Sequence, residues 1–207
     1  MGAFVATADV KTDGSLTIWS QSSQSQGARA HIAHIMSVPV EKVVIRWAQG
    51  PGQYGRTTYG GDGAMADAAI LSKLVGKPVR VQWTLSEDLT WSSTSPGWVA
   101  DVKIGLDDKG NMVAFKSDWY SPHENDARMI GAVLAGMPTI SPKTKPFYPA
   151  ISTVWPYDKV PAVVESAYGM ANLASESANG GIRGNIMRTP WQRQQNFALE
   201  AAVEEAA

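Results

Sequence analysis

Gln49-Gly50-Pro51-Gly52-Gln53-Tyr54-Gly55-Arg56 is the segment whose residue types and spacing point most directly to chemistry. Gly50, Gly52 and Gly55 satisfy G-x-G-x-x-G, and their missing Cβ atoms let backbone N–H groups approach an anionic or oxo-bearing ligand closely. The strand-like run Val43-Val44-Ile45-Arg46-Trp47 precedes the loop, which supplies half of a dinucleotide-binding fingerprint. The other half is missing. That fingerprint places its third glycine in the helix that holds the pyrophosphate, whereas Thr57-Thr58-Tyr59-Gly60-Gly61 delays the next helix to about Asp62. Gly50, Gly55, Arg56 and Thr57 nearly form a phosphate-binding P-loop, but arginine replaces the lysine and no magnesium-binding aspartate strand comes after it. A tight structural turn, a Rossmann-type site and an amide-lined cradle for an oxygen-bearing cofactor remain the readings to separate.

Other reactive side chains have simpler explanations. His31 and His34 lie three apart in a helical stretch, yet no carboxylate or third ligand accompanies them, so no metal site is expected. In His123-Glu124-Asn125-Asp126 the acids suit the start of a helix, as do Glu87 and Asp88. Ser20, Ser22, Ser23 and Ser25 have no triad partner in a recognisable pattern, which leaves nucleophilic hydrolysis unsupported. Trp83, Trp91 and Trp98 are read as core residues in preference to the lining of a substrate funnel.

Composition bounds what these residues can serve. With 207 residues, 44% of them hydrophobic and 18% charged, the chain can bury a substantial core. Eighteen Lys and Arg against 19 Asp and Glu leave a net charge of −1, without the basic excess of a non-specific nucleic-acid binder. The absence of cysteine excludes disulfides, thiolate metal sites and iron–sulfur clusters held by this chain. Redox chemistry would need a bound cofactor. No run approaches the roughly 20 apolar residues of a membrane span, and the opening residues lack a signal-peptide pattern.

The elements that must carry the loop can be read from periodicity. Val5 to Val10 and Leu16 to Trp19 flank the turn Lys11-Thr12-Asp13-Gly14 and predict a hairpin. Ala28, Ile32, Ile35 and Met36 predict a helix that ends before Pro39. After the glycine loop, Asp62 is the expected cap of a helix with Met65, Ala68, Ala69, Leu71 and Leu74 as its apolar face. Pro78 to Trp83 then predicts a strand, and the order from Val43 to Trp83 resembles a βαβ unit with parallel pairing allowed. Trp98 to Leu106 and Met112 to Trp119 predict a second hairpin, and Val163 to Tyr168 another strand. Pro190 should open a final helix with Phe197, Ala201 and Val203 inward and Glu200, Glu204 and Glu205 on its solvated face. That helix runs to Ala207 without a stop signal, as if cut at a domain edge. The expected fold is α+β, with mixed sheets and packed helices. Its parts are residues 1–137, a connection over 138–161 holding Pro138, Pro142, Pro146, Pro149, Pro156 and Pro161, and residues 162–207.

Four stretches together resemble the molybdopterin-binding large subunit of the xanthine dehydrogenase and aldehyde oxidase family, nearest its isoquinoline oxidoreductase and nicotinate dehydrogenase branch. They are Leu16-Thr17-Ile18-Trp19-Ser20-Gln21, the loop Gln53-Tyr54-Gly55-Arg56, the run Gly76-Lys77-Pro78-Val79-Arg80-Val81-Gln82-Trp83 with Glu87-Asp88, and Met187-Arg188-Thr189-Pro190 with Gln194 to Glu200. The resemblance implies the first molybdopterin-binding half of a molybdenum hydroxylase. Such an enzyme oxidises an aldehyde or N-heterocycle with water as oxygen source. It implies a molybdenum–molybdopterin cofactor, as the cytosine dinucleotide, with iron–sulfur clusters and haem on partner subunits. Implied partners are the remaining half of the large subunit, an iron–sulfur subunit and a small aldehyde or heteroaromatic substrate, with no nucleic acid and no direct membrane span.

By position, Gln21 or Gln24 resembles the glutamine that hydrogen-bonds the molybdenum oxo group. Gly52, Gln53, Tyr54, Gly55 and Arg56 resemble the loop beside the metal, and Arg188 resembles an arginine that orients substrate and stabilises developing charge. Pro51-Gly52-Gln53 departs from the family's glycines, and tyrosine stands in place of phenylalanine at position 54. The family's catalytic glutamate has no counterpart here, so the isolated chain is expected to be inactive. A non-catalytic scaffold or binding module is the alternative of a different class.

Overall fold

The computed structural model describes residues 3–52, 54–55, 63–92, 94–95, 97–121, 130–138, 157, 159–169, 187–189 and 192–207. They fall into two compact units, the first comprising Met1–Thr94, Asn125–Lys143 and Ile182–Arg188, the second Ser95–Glu124, Thr144–Gly181 and Thr189–Ala207. The fold is α+β, with a mixed sheet in each unit, packed helices in the first and, among the described residues, one helix in the second.

In the first unit, β1 (Val5–Val10) and β2 (Leu16–Ser20) form the predicted hairpin. Its turn closes through the Lys11 N–H donating to the Ser15 carbonyl at 2.8 Å, with Gly14 at φ 83°. The chain then crosses through α1 (Ser25–Met36) and a 3₁₀ turn (Val40–Lys42) into β3 (Val43–Trp47), which lies parallel to β2. Ser37 ends α1 in the left-handed region, and Pro39 prevents its continuation. Arg29 fixes the crossover by donating Nε to the Val43 carbonyl at 2.9 Å and Nη2 to the Val40 carbonyl at 3.0 Å. Beyond the glycine loop come α2 (Ala64–Val75), β4 (Val79–Gln82), α3 (Leu85–Trp91) and α4 (Ile130–Leu134).

The sheet order is β3-β2-β1-β4. β3 and β4 therefore do not pair as the Val43–Trp83 order allowed; the hairpin separates them, and the adjacent parallel pair is instead β2-α1-β3. The hydrophobic pattern explains this arrangement. Ala6, Ala8, Leu16, Ile18 and Val43 turn one sheet face inward, where Ile32, Ile35 and Met36 of α1 and Met65, Ala68 and Ala69 of α2 cover it. Burying each of the larger side chains stabilises the fold by about 1.5–3 kcal/mol. Two expectations for α2 need correction: Leu71 and Leu74 are exposed, and the N-cap position is Gly63 at φ 82° rather than Asp62, which lies outside the described residues. Ser72 is buried on that helix because its hydroxyl accepts the Val10 N–H at 3.0 Å and donates to the Lys77 carbonyl at 2.8 Å.

Glu87 and Thr84 form a reciprocal capping box on α3, confirming the cap reading for the Glu87-Asp88 pair. Trp83 packs edge-on against Phe4 with ring centres 5.2 Å apart, whereas Trp91 is exposed, against its reading as core.

In the second unit, β5 (Val99–Leu106) and β6 (Met112–Ser121) form the second hairpin, and β7 (Ala162–Gly169) adds parallel to β6. α5 (Gln192–Ala206) packs on β5 through buried Leu199 and Gln195. Phe197, expected inside, is 78% exposed; Leu199, two positions along, takes the inward place. Pro190, His123, Glu124, Asn125 and Asp126 lie outside the described residues, as does most of 138–161.

Candidate functional site

Parallel pairing of β2 and β3 aligns their carboxyl ends, with Ser20 opposite Trp47. The segments leaving the two strands must therefore emerge side by side, at the kind of strand terminus where α/β sheets commonly bind ligands. After β2 comes Gln21, and after β3 comes the glycine loop. The Ala48 N–H extends the ladder to the Ser20 carbonyl at 2.9 Å, and the Gly52 N–H then donates to Gln21 Oε1 at 3.1 Å. A Cβ on Gly50 would overlap the Gln21 carboxamide, so glycine is required for this approach.

Gln21 is buried, and its Nε2 has no hydrogen-bond partner among the described residues; the same holds for the buried Ser20 hydroxyl. Leaving a buried donor unsatisfied costs about 1–3 kcal/mol, and the group is ready to donate to a ligand oxygen. Gln24 differs: it is exposed and occupies the N-cap position of α1 without making a capping hydrogen bond. Burial and proximity to the loop distinguish the two glutamines that motif position alone left open.

Tyr54 folds its ring back over Gly52, where an added Cβ would lie 2.9 Å from Tyr54 Cε2. Arg188 completes the cluster, its guanidinium carbon 5.7 Å from the Tyr54 ring centre. Tyr54 has φ 49° and Gly55 φ 88°, which turns consecutive peptides of the loop in the left-handed region. Gln21, Gly50, Gly52, Tyr54 and Arg188 are thus one contiguous set in the first unit. Gln53 and Arg56 lie outside the described residues. Gly50 was absent from the sequence-derived site set, although it opens the glycine pattern.

Two further polar arrangements escaped the sequence reading. Asp67, on α2, accepts the Trp83 indole N–H, and burial pushes its carboxyl above the usual aspartate range. In the second unit, Trp119 Nε1 donates to Ser117 Oγ at 2.8 Å, Ser117 lies 3.4 Å from Glu165 Oε1, and burial raises the Glu165 carboxyl. Neither has a one-dimensional signal, because each joins residues on different elements. Among the described residues no group of three His, Asp or Glu side chains is arranged to hold a metal ion, and no helix is long and apolar enough to cross a membrane.

The β2–β3 end therefore offers the unpartnered Gln21 Nε2 and Ser20 hydroxyl beside a glycine-rich loop, which suits a ligand bearing oxo or phosphate oxygens held by hydrogen bonds rather than a bare metal coordinated by protein. Such features define a cofactor-binding domain. Residues 1–140 match the molybdopterin cofactor-binding domain family, and the chain belongs to it. A dinucleotide-binding reading has no further support, since α2 starts only at Ala64, well beyond Gly55.

The chain is 26% identical over 208 residues to a subunit of nicotinate dehydrogenase from Pseudomonas putida, covering 100% of this chain and 16% of that protein. Its fold is similar to aldehyde oxidoreductase from Desulfovibrio gigas, with TM-score 0.60 and 18% identity over 99% of this chain and 22% of the other. Aldehyde oxidoreductase from Desulfovibrio desulfuricans gives TM-score 0.65 and 14% identity over 99% and 20% of the respective chains. The chain spans between 16% and 22% of the length of these relatives. The family resemblance read from the four sequence stretches is borne out.

Proposed function

We propose that this chain is the first molybdopterin-binding part of the catalytic subunit of a molybdenum hydroxylase. Its substrate is an aldehyde or N-heterocycle, oxidised with water as oxygen source, and electrons leave through a separate iron–sulfur unit. The buried, unpartnered Gln21 Nε2 beside the glycine loop carries this reading, because it is a donor aimed at no acceptor among the described residues. The likeness to nicotinate dehydrogenase, which runs along the whole chain, favours a heteroaromatic substrate within that class.

The chain's residues divide the work. Gln21 Nε2 and the backbone amides of Tyr54 and Gly55 would hold the cofactor's oxygens, with Gln53 and Arg56 on the same loop. Gln21 Oε1 accepts the Gly52 N–H, which fixes the carboxamide's orientation and leaves the buried Nε2 as the donor still to be satisfied. When bound, the molybdenum–pterin group supplies the two-electron oxidation that amino-acid side chains lack. Arg188 would steady negative charge that develops on the substrate. The cofactor's cytosine dinucleotide form, the iron–sulfur and haem groups on partner subunits, and a catalytic base on the remaining half of the large subunit complete the proposal. The isolated 207 residues would then be inactive.

Metal and pterin analysis of the assembled enzyme tests it. Stoichiometric molybdenum and pterin in the wild type, both falling at least tenfold in Gln21→Ala, support the assignment. A complex devoid of both favours a non-catalytic scaffold.

A further inference from the structure

β1 runs antiparallel to both β2 and β4, so β2, β3 and β4 all finish at the same end of the sheet. The registers fix this: Ala6 lies opposite Ser20 on one side and Val81 on the other, and Ser20 lies opposite Trp47. Trp83, the residue after β4, therefore emerges at the end that carries Gln21 and the start of the glycine loop. Its backbone N–H donates to the Phe4 carbonyl at 2.9 Å, and its indole meets the buried Phe4 ring edge-on, so main chain and side chain are both held.

The glycine segment leads into α2 through Gly63, the N-cap residue. A Cβ on Gly63 would lie 3.3 Å from Trp83 Cζ2, so the indole rests directly against the backbone there. The Gly63 carbonyl accepts the Asp67 N–H at 2.9 Å, and the Asp67 carboxyl, one turn along, accepts the Trp83 indole N–H. Gly63, Asp67 and Trp83 thus close a ring of contacts joining the exit of the loop to the end of β4. α4 packs on the same carboxyl, since a Cβ on Gly131 would overlap Asp67 Oδ1.

We propose that Trp83 is a positioning residue of the cofactor site: oriented by Asp67, it seats the exit of the glycine loop at Gly63, as Gln21 seats the entry at Gly52. Neither Trp83 nor Asp67 need touch the ligand; they limit the excursions of a loop whose backbone amides must converge on fixed oxygens, so that less ordering entropy is lost on binding. This rests on the reading of the loop as the molybdopterin site.

The test measures molybdenum and pterin in the assembled enzyme, with amide hydrogen exchange over residues 50–63. Trp83→Phe keeps an aromatic ring against Gly63 and Phe4 but loses the indole N–H, and should lower both contents about threefold, the worth of one hydrogen bond, while exchange across the loop quickens. Asp67→Ala should do the same, and Asp67→Asn, which still accepts the N–H, should retain wild-type content. Because both substitutions break one bond, the double variant Asp67→Ala/Trp83→Phe should fall no further than either alone. Ser72→Ala, which weakens α2 at its other end, should leave content and loop exchange unchanged. Full cofactor and unchanged exchange in Trp83→Phe would overturn the proposal. So would an equal loss in Ser72→Ala, which would make general stability the cause. Wild-type enzyme devoid of molybdopterin removes the underlying reading, whereas loaded wild type with an indifferent Trp83→Phe removes only the positioning role.

Discussion

Gln21 accepts the Gly52 N–H at 3.1 Å across 31 positions of sequence, while the Gln21 carboxamide occupies the space that a side chain at position 50 would need. This closure depends on a parallel register that brings the ends of β2 and β3 together. It also predicts which substitutions should damage the loop. Gly50→Ala must push the carboxamide aside, whereas Gly52→Ala must accommodate both φ 90° and the Tyr54 ring. Each should cost about 1–3 kcal/mol by thermal or denaturant unfolding and reduce bound molybdenum in the assembled enzyme. Gly76→Ala, also at positive φ but with open space around it, should lower stability while leaving molybdenum content at the wild-type level.

Asp67 gives a pH test. Burial raises its native carboxyl above the ordinary value, so between the unfolded and native pKa values the folded chain holds more protons than the unfolded one. Stability contributed through this group is greatest below the unfolded pKa and falls as pH rises through the native pKa. Asp67→Asn can still accept the Trp83 indole N–H and carries no charge. It should be more stable than wild type at pH 7, with the difference vanishing as pH falls below the ordinary aspartate value. Denaturant titrations of both proteins across that interval measure the difference. A constant gap at every pH would exclude the burial of charge as its cause.

Legibility in the sequence tracked the range of the signal. The two hairpins, α1 and the strand before the loop were readable because turn residues and apolar period lie within a dozen positions. The neighbours of β3 were not, because Val43 to Trp83 contains a parallel-unit pattern while the hairpin occupies the intervening sheet positions. Gly52, Tyr54 and Arg188 are named by motif, but which of Gln21 and Gln24 packs against the loop is visible only in three dimensions. Both glutamines sit in the same Ser-Gln run, and only packing shows that one is buried against Gly50 and the other exposed. Phe197 failed for a related reason: α5 offers both Phe197 and Leu199 as apolar anchors, and the face turned to β5 selects the second.

Ser72 ties α2 to β1 and to the turn before β4 through one hydroxyl, receiving the Val10 N–H and donating to the Lys77 carbonyl from a fully buried position. Ser72→Ala leaves both backbone groups without that partner and should cost about 1–3 kcal/mol. Ser72→Cys keeps a weak donor and acceptor at similar volume and should recover part of the loss. Equilibrium unfolding of the three proteins orders them, and the prediction fails if alanine is as stable as serine.

Phe197 places a large apolar side chain 78% in solvent beside a groove of about 460 Å³ lined by Trp98, Ala100, Trp119, Arg193, Gln194 and Ala198. An aromatic ring next to tryptophan-lined space favours contact between molecules when nothing else covers it. The 207-residue chain should therefore self-associate with rising concentration in sedimentation velocity. Phe197→Ser should shift that transition to at least threefold higher concentration without lowering unfolding stability by more than about 0.5 kcal/mol, as expected for an exposed position. Leu199→Ser makes the informative contrast. Leu199 is buried under the same helix, so its substitution should cost about 2–5 kcal/mol and increase aggregation by loosening α5. Opposite effects on association from two apolar residues two positions apart would show that the exposed face of α5, rather than its hydrophobic content, drives the contact.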